Sequence, residues 1–254
     1  MKLVIEQDVN DLAAIACKQI RNTLNKAVDE KGGASLLIST GASQFSLFQT
    51  LVGEQGSKPV PWDKIDVYHL DEYVGLPPMH TASFCRYIRE RFADFVKPRE
   101  VHYIYGDRDI SATLDRMNGI MKNLTIDLGL IGVGENGHIA FNDPPADFTA
   151  TDPYIIVELN ESCKRQQVRE GWFNDVDSVP KNAFTMSVRQ ILKCAEIVSF
   201  VPYTVKAEAV YGMLTQDVNN MAPATILKTH PNLTLYLDGG SSEKLNPEIA
   251  GVYQ

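Results

Sequence analysis

The sequence predicts an α/β protein with one doubly wound, mostly parallel sheet and helices on both faces, built as a single domain over residues 1–254. Three observations carry that expectation. Short apolar runs alternate with segments of helical periodicity along the whole chain, the pattern of a wound sheet. A run such as Ala34 to Ser39 is brief and almost wholly apolar, as a strand covered on both faces must be. Glycine- or hydroxyl-rich turns and acids follow the strand ends near residues 40, 71 and 137, where open α/β sheets hold their ligands.

The elements follow in order. Leu3-Val4-Ile5 is a first short strand. From Asp8 to Asp29, Leu12, Ile15, Ala16, Ile20, Leu24 and Val28 recur at helical spacing, with Asp8 as N-cap and Gly32-Gly33 as the stop. After the Ala34–Ser39 strand, Thr40-Gly41-Ala42-Ser43 leads into a helix carrying Phe45, Leu47, Phe48 and Leu51. Ile65 to Leu70 is a strand that ends in Asp71 and Glu72 before the Gly75–His80 loop. Thr81 or Ser83 opens a helix through Phe84, Tyr87, Ile88 and Phe92, and Val101 to Tyr105 is a further strand. Ile110 to Asn123 is amphipathic, and an apolar strand begins at Ile126. Tyr154 to Leu159 is a strand, with Asn160 or Ser162 capping the segment that carries Lys164, Arg165 and Arg169. Phe184 to Val188 leads into Arg189; Glu196 to Val201 is a strand, followed by a helix from about Val205 to Leu214. Ala222 to Lys228 is irregular or helical, and Leu233 to Asp238 is the last strand.

Composition narrows the function. Hydrophobic residues make up 44% and charged ones 22%, ordinary globular values. The net charge of −8 disfavours a nucleic-acid surface, which needs clustered Lys and Arg, but leaves room for a small anionic ligand held by backbone N–H groups and one or two cations. Cys17, Cys85, Cys163 and Cys194 form no C-x-x-C pair and read as free, buried thiols of a reducing compartment. The N-terminus has no signal-peptide pattern and no run is long enough to span a membrane, so the expectation is a cytoplasmic protein.

The stretch Ile126 to Pro145 concentrates the chemistry. Gly132, Gly134 and Gly137 spell G-x-G-x-x-G after a strand, but a dinucleotide site needs a helix to open behind them. Pro144-Pro145 deny that helix its N–H groups. What remains is a strand end with exposed N–H groups, a histidine, His138, and an acid five residues on, Asp143. Strand ends of a parallel sheet share one edge, so Thr40/Ser43, Asp71 and His138/Asp143 can converge as an anion cradle, a carboxylate base and a histidine with an acid partner. Lys206 falls near a helix start, where a cation opposes the macrodipole unless an anion is at hand. Each has a plainer reading: an ordinary turn capped by Ser43, solvated loop acids, a solvated lysine, a structural histidine. No second histidine stands at ligand spacing to make a metal site, and there is no G-x-S-x-G elbow for a serine hydrolase.

These residues also carry a family likeness. Leu70-Asp-Glu-Tyr-Val-Gly-Leu76 followed by His80-Thr-Ala-Ser-Phe84 resembles glucosamine-6-phosphate deaminase (isomerising), as do Gly132 to Pro144, Val179 to Met186 and Pro223 to Pro231, in the same order. The resemblance implies a hexosamine 6-phosphate substrate, ring opening, proton transfer between C2 and C1, and release of ammonia. It implies Asp71 as the C2 base, His138 for ring opening with Asp143 as its partner, and Asn136 beside them. Phosphate is implied at Thr40-Gly41-Ala42-Ser43 and Lys206, with Gly137 at the site as well. Arg165 and Arg169 are the candidates for an arginine that relatives place before two phenylalanines, here Trp172-Phe173. No metal and no cofactor is implied, and a homo-oligomer only in that hexamers and smaller forms occur in the family. Two departures stand out: Asp143 where glutamate is usual, and Gly41-Ala-Ser-Gln44 for the usual Gly-Gly-Thr-Pro. The competing readings are a 6-phosphogluconolactonase, a related family, and a phosphosugar-binding protein without turnover. The Leu70–Tyr73 stretch favours the deaminases, and a mere sensor has no use for Asp71 and His138 together.

Overall fold

A computed structural model of the chain describes residues 1–53 and 58–252. Seven strands make a wholly parallel sheet: β1 (Lys2–Ile5), β2 (Ala34–Ile38), β3 (Ile65–His69), β5 (Glu100–His102), β6 (Leu128–Leu130), β9 (Glu196–Val201) and β10 (Leu233–Leu237). Their spatial order is β1-β10-β9-β6-β2-β3-β5. From β2 the chain winds outward through β3 to β5; from β6 it winds the other way through β9 to β10. The carboxyl ends of β2 and β6, side by side, are therefore the topological switch point, where a crevice opens in such sheets.

Both faces of this sheet are covered, which is why its strands are nearly continuous in apolar residues. Leu36 and Ile38 of β2, with Val198, Phe200 and Tyr236, face one core; Leu37, with Ile197, Leu235 and Leu237, faces the other. The first core is covered by α1 (Val9–Lys31) and α2 (Phe45–Gly53), and by α3 (Phe84–Ile88), which runs through a π turn (Arg89–Ala93) into α4 (Asp94–Val96). Asp8 caps α1 by accepting from the N–H groups of Asn10 and Asp11, as its position before the first apolar repeat predicts. Leu12, Ala16, Ile20 and Leu24 are wholly buried, and each such Leu or Ile contributes roughly 1.5–3 kcal/mol of transfer free energy. Over the other core lie α5 (Ile110–Met121), α7 (Val188–Ile191) and α8 (Ala207–Thr215). Further helical elements include α6 (Glu161–Arg169), a 3-10 helix at Pro223–Thr229 and α9 (Pro247–Gly251).

One expectation needs correction. The sheet is not single: β4 (Asp71–Tyr73), β8 (Asn182–Met186) and β7 (Tyr154–Glu158) form a separate antiparallel sheet in the order β4-β8-β7. The chain changes sheets at Leu70. Its N–H still donates to Ile38 of the large sheet (3.3 Å), while its carbonyl accepts from Met186 of the small one (2.7 Å). His69 fixes the transfer: Nδ1 donates to the Asp71 carbonyl at 2.8 Å and Nε2 accepts from the Ile104 N–H at 2.9 Å. With both nitrogens occupied and the ring fully buried, burial lowers the His69 pKa to about 4, so this histidine is a neutral structural bolt. Local pattern could not reveal the second sheet, because an apolar run reads alike in either sheet.

Candidate active site

A cleft of about 390 Å³ opens at the switch point. One wall is the turn after β2, where Gly41 has φ of +113°, a conformation that suits a residue without Cβ. Here the Ser43 expectation is corrected. The turn tightens into a 3-10 turn, Ala42–Gln44, and Ser43 does not cap a helix; its Oγ instead accepts from the Gln44 side-chain amide at 3.2 Å. Thr40, Gly41, Ala42 and Ser43 all line the cleft.

The opposite wall is the loop after β6. No helix follows Gly137, so the dinucleotide pattern has no dinucleotide context. The loop folds back instead: the Gly134 N–H donates to the His138 carbonyl and the Gly137 N–H to that of Gly134. This presses the imidazole of His138 flat over Gly134. A Cβ at residue 134 would lie 2.2–2.4 Å from three of the ring atoms, so only glycine fits under the ring. His138 Nδ1 lies 2.7 Å from Asn136 Oδ1 and 3.2 Å from Asp143 Oδ1. Both are acceptors, since Asn136 Nδ2 is spent on Asp143 at 3.1 Å. Nδ1 therefore carries the proton, and Nε2 is the ring nitrogen left for a ligand. Burial pushes Asp143 up, but hydrogen bonds with His138, Asn136 and Cys163 outweigh it and hold the carboxyl below its ordinary range. The shorter acid thus still reaches His138, with Asn136 bridging the pair.

Asp71 begins β4 and projects into the same cleft while 7% exposed. Burial, then the adjacent Glu72 charge, push its pKa well above the carboxylate range. Glu72 points away, accepting from the Tyr73 N–H, the Ser83 hydroxyl and the Cys85 N–H. The two neighbouring acids thus divide, one toward the cleft and one holding the start of α3. Lys206, also 7% exposed, enters from the turn after β9. Burial lowers its pKa, with Glu170 and Glu135 opposing, and among the described residues no carboxylate pairs with its ammonium. A buried, unpaired cation at the mouth of a glycine turn is poised for an anion.

The remaining candidates separate. Arg169 lines the cleft and pairs with Glu135. Arg165 does not: it is exposed and sits 3.8 Å from Glu161 on the outer face of α6. Gly137 is not among the residues that line the cleft; at φ +82° it turns the loop, and its carbonyl accepts from the Ala224 N–H. Asn136 and Asp143 stand behind His138 rather than on the cleft surface. Sequence reasoning overlooked Ser39, Glu135, Gln166, Gln167, Trp172 and Tyr203, which also line it. Only Tyr203 had a usable signal, its place beside Pro202 at a strand end; α6 shows its cleft face only once docked. All four cysteines are free and buried. Among the described residues no group of three or more His, Cys, Asp or Glu side chains is arranged to hold a metal, and no helix is long and apolar enough to cross a membrane.

The switch point of this doubly wound sheet thus brings together a glycine turn, a buried carboxyl group and an acid-backed histidine. The chain belongs to the family of glucosamine-6-phosphate isomerases and 6-phosphogluconolactonases, whose pattern matches residues 7–236. It is similar to the glucosamine-6-phosphate deaminase of Lactobacillus delbrueckii subsp. bulgaricus, 33% identical over 96% of this chain and 100% of that one. The Staphylococcus epidermidis glucosamine-6-phosphate deaminase is 32% identical over 92% of this chain and 96% of its own. Among solved structures, a monomeric glucosamine-6-phosphate deaminase superposes with a TM-score of 0.86 at 28% identity, covering 96% and 99% of the two chains. A 6-phosphogluconolactonase from Shewanella baltica shares the fold, with a TM-score of 0.77 at 18% identity over 94% and 97%.

Proposed function

We propose that this protein is an amino-sugar-6-phosphate deaminase–isomerase, acting as one catalytic unit across residues 1–254. The observation that carries this reading is the presence, in one cleft, of a buried Asp71 with raised pKa and a His138 whose Nδ1 is tied to Asn136 and Asp143. The glycine turn and Lys206 supply the phosphate end. His138 Nε2 takes the anomeric hydroxyl proton and returns one to the ring oxygen, opening the sugar. Asp71, desolvated enough to be a competent base, removes the proton from C2 and delivers it to C1. The resulting C2 imine takes up water and leaves as ketose 6-phosphate and ammonia. Phosphate binding, remote from C1 and C2, serves positioning. Arg169 closes on the phosphate from α6, exchanging Glu135 for it.

The reading extends to a cytoplasmic enzyme of amino-sugar breakdown, including N-acetylglucosamine catabolism, which the four free thiols suit. Its partner is the sugar phosphate, without nucleic acid, membrane, metal or cofactor, and the chain acts as a monomer or a homo-oligomer. The test is ammonia release, with ketose 6-phosphate measured in parallel, on glucosamine 6-phosphate and galactosamine 6-phosphate. Both products together bear the reading out and name the sugar. Ketose without ammonia from a non-amino sugar phosphate reduces it to an isomerase. Lactone hydrolysis with neither product overturns it.

A further inference from the structure

Gln44 is an unexpected residue beneath the phosphate turn. It is 1% exposed, and a buried amide must have its hydrogen-bonding groups met. Its Nε2 lies 3.1 Å from the Phe200 carbonyl oxygen and 3.2 Å from Ser43 Oγ. A carbonyl can only accept, so the Phe200 contact fixes which end of the amide faces it: the NH2 end. The same nitrogen then donates its other proton to Ser43 Oγ. With its oxygen accepting from Gln44, the Ser43 hydroxyl is free to turn its own proton into the cleft.

Ser39 stands beside this pair. It is 5% exposed and borders the cleft, but its Oγ is enclosed and, among the described residues, has no hydrogen-bond partner. A Cβ placed on Gly132 would lie 3.4 Å from both Ser39 Oγ and Gln44 Nε2, so the two polar groups share the space over that glycine. Enclosed there, Ser39 Oγ is closed to a ligand oxygen, and the hydroxyl left to face the cleft is that of Ser43.

We propose that Gln44 is a positioning residue for phosphoryl recognition, orienting the Ser43 hydroxyl as a donor. This rests on the sugar-phosphate reading above and deepens it. The turn then binds a phosphoryl group through one aimed hydroxyl and its backbone, with Lys206 as the charge. Gln44 never touches the ligand and acts only through Ser43.

The experiment is competitive inhibition by inorganic phosphate, alongside KM and kcat for the sugar phosphate that turns over, in wild type, Ser43→Ala, Gln44→Met, the double variant and Ser39→Ala. The expected result is a roughly tenfold rise in the phosphate Ki for Ser43→Ala and for Gln44→Met, the size of one good donor to a charged acceptor. The loss falls on KM rather than kcat, and the double variant is no worse than Ser43→Ala alone. Ser39→Ala, whose Oγ is enclosed, leaves Ki unchanged, and a loss there as large as that of Ser43→Ala overturns the assignment of the donor to Ser43. Additive losses in the double variant, or an unchanged Ki in Gln44→Met, overturn the role of Gln44. An unchanged Ki in Ser43→Ala instead removes phosphate from this turn and defeats the underlying assignment. Gln44→Glu covers the case in which Gln44→Met melts too low to assay. Its carboxylate accepts from Ser43 and claims the proton, so phosphate binding weakens further as pH rises; wild-type affinity in that variant also overturns the proposal.

Discussion

Replacing Gly134 by alanine tests the histidine assignment without touching the histidine. Residue 134 lies outside the left-handed region, so its backbone accepts alanine. The added Cβ would stand 2.2–2.4 Å from the imidazole Cε1, Nε2 and Nδ1. Non-bonded heavy atoms rest near 3.5 Å, so the ring must retreat by about 1 Å. That retreat takes Nδ1 away from Asn136 Oδ1 and Asp143 Oδ1, now at 2.7 and 3.2 Å, and Nε2 away from the sugar. A misplacement of this size costs about 10²-fold in rate, and crowding at the site costs roughly 1–3 kcal/mol in stability. The assay is kcat on the amino-sugar 6-phosphate that turns over, with a thermal melt and a phosphate Ki as controls. Gly137→Ala is the companion: strained at φ +82° but clear of the cleft, it lowers the melting temperature with kcat largely kept. A Gly134→Ala variant that turns over like wild type would refute the placement of His138 at the reacting oxygens.

Further outcomes follow from the same geometry. Asp71→Asn loses isomerisation by about 10²–10⁴-fold while phosphate still binds. Because the folded pKa of Asp71 lies above its unfolded value near 3.9, the folded state holds the proton more tightly, and stability falls as pH rises between the two. Asp71→Asn removes that fall, so it melts higher than wild type at neutral pH and equal to it in acid below the unfolded value; a lower melting temperature at neutral pH contradicts the buried charge. In wild type, kcat/KM declines on acidification through the raised pKa of Asp71, above the ordinary carboxylate range. His138→Gln slows the closed-ring substrate more than an open-chain analogue, and equal losses on both argue against ring opening. Lys206→Met raises KM by about tenfold or more, the loss of one charge-assisted contact, whereas Arg165→Ala, on the outer face of α6, leaves KM unchanged.

The alternating pattern, the caps at Asp8 and Asn160, and the glycine turns all act over a few residues, and the sequence determines them. The same locality made Thr40–Ser43, Asp71, His138 and Asp143 legible as candidates: strand ends, glycines and titratable groups show as sequence neighbours. What decides between partners lies at long range. Asp71 and Glu72 are equal in sequence; only the transfer of the chain from the large sheet to β4, bolted by His69 between Asp71 and Ile104, sends one into the cleft and the other under α3. Arg165 and Arg169 share one helix, and the docking of α6 alone sets one against Glu135 and the other in solvent. Gln44 shows in the sequence only as part of an altered turn, and it is β9 that brings the Phe200 carbonyl to its amide. Period and capping are properties of the chain; burial, and with it the pKa of Asp71 and the direction of a hydroxyl proton, belongs to what other segments pack against it.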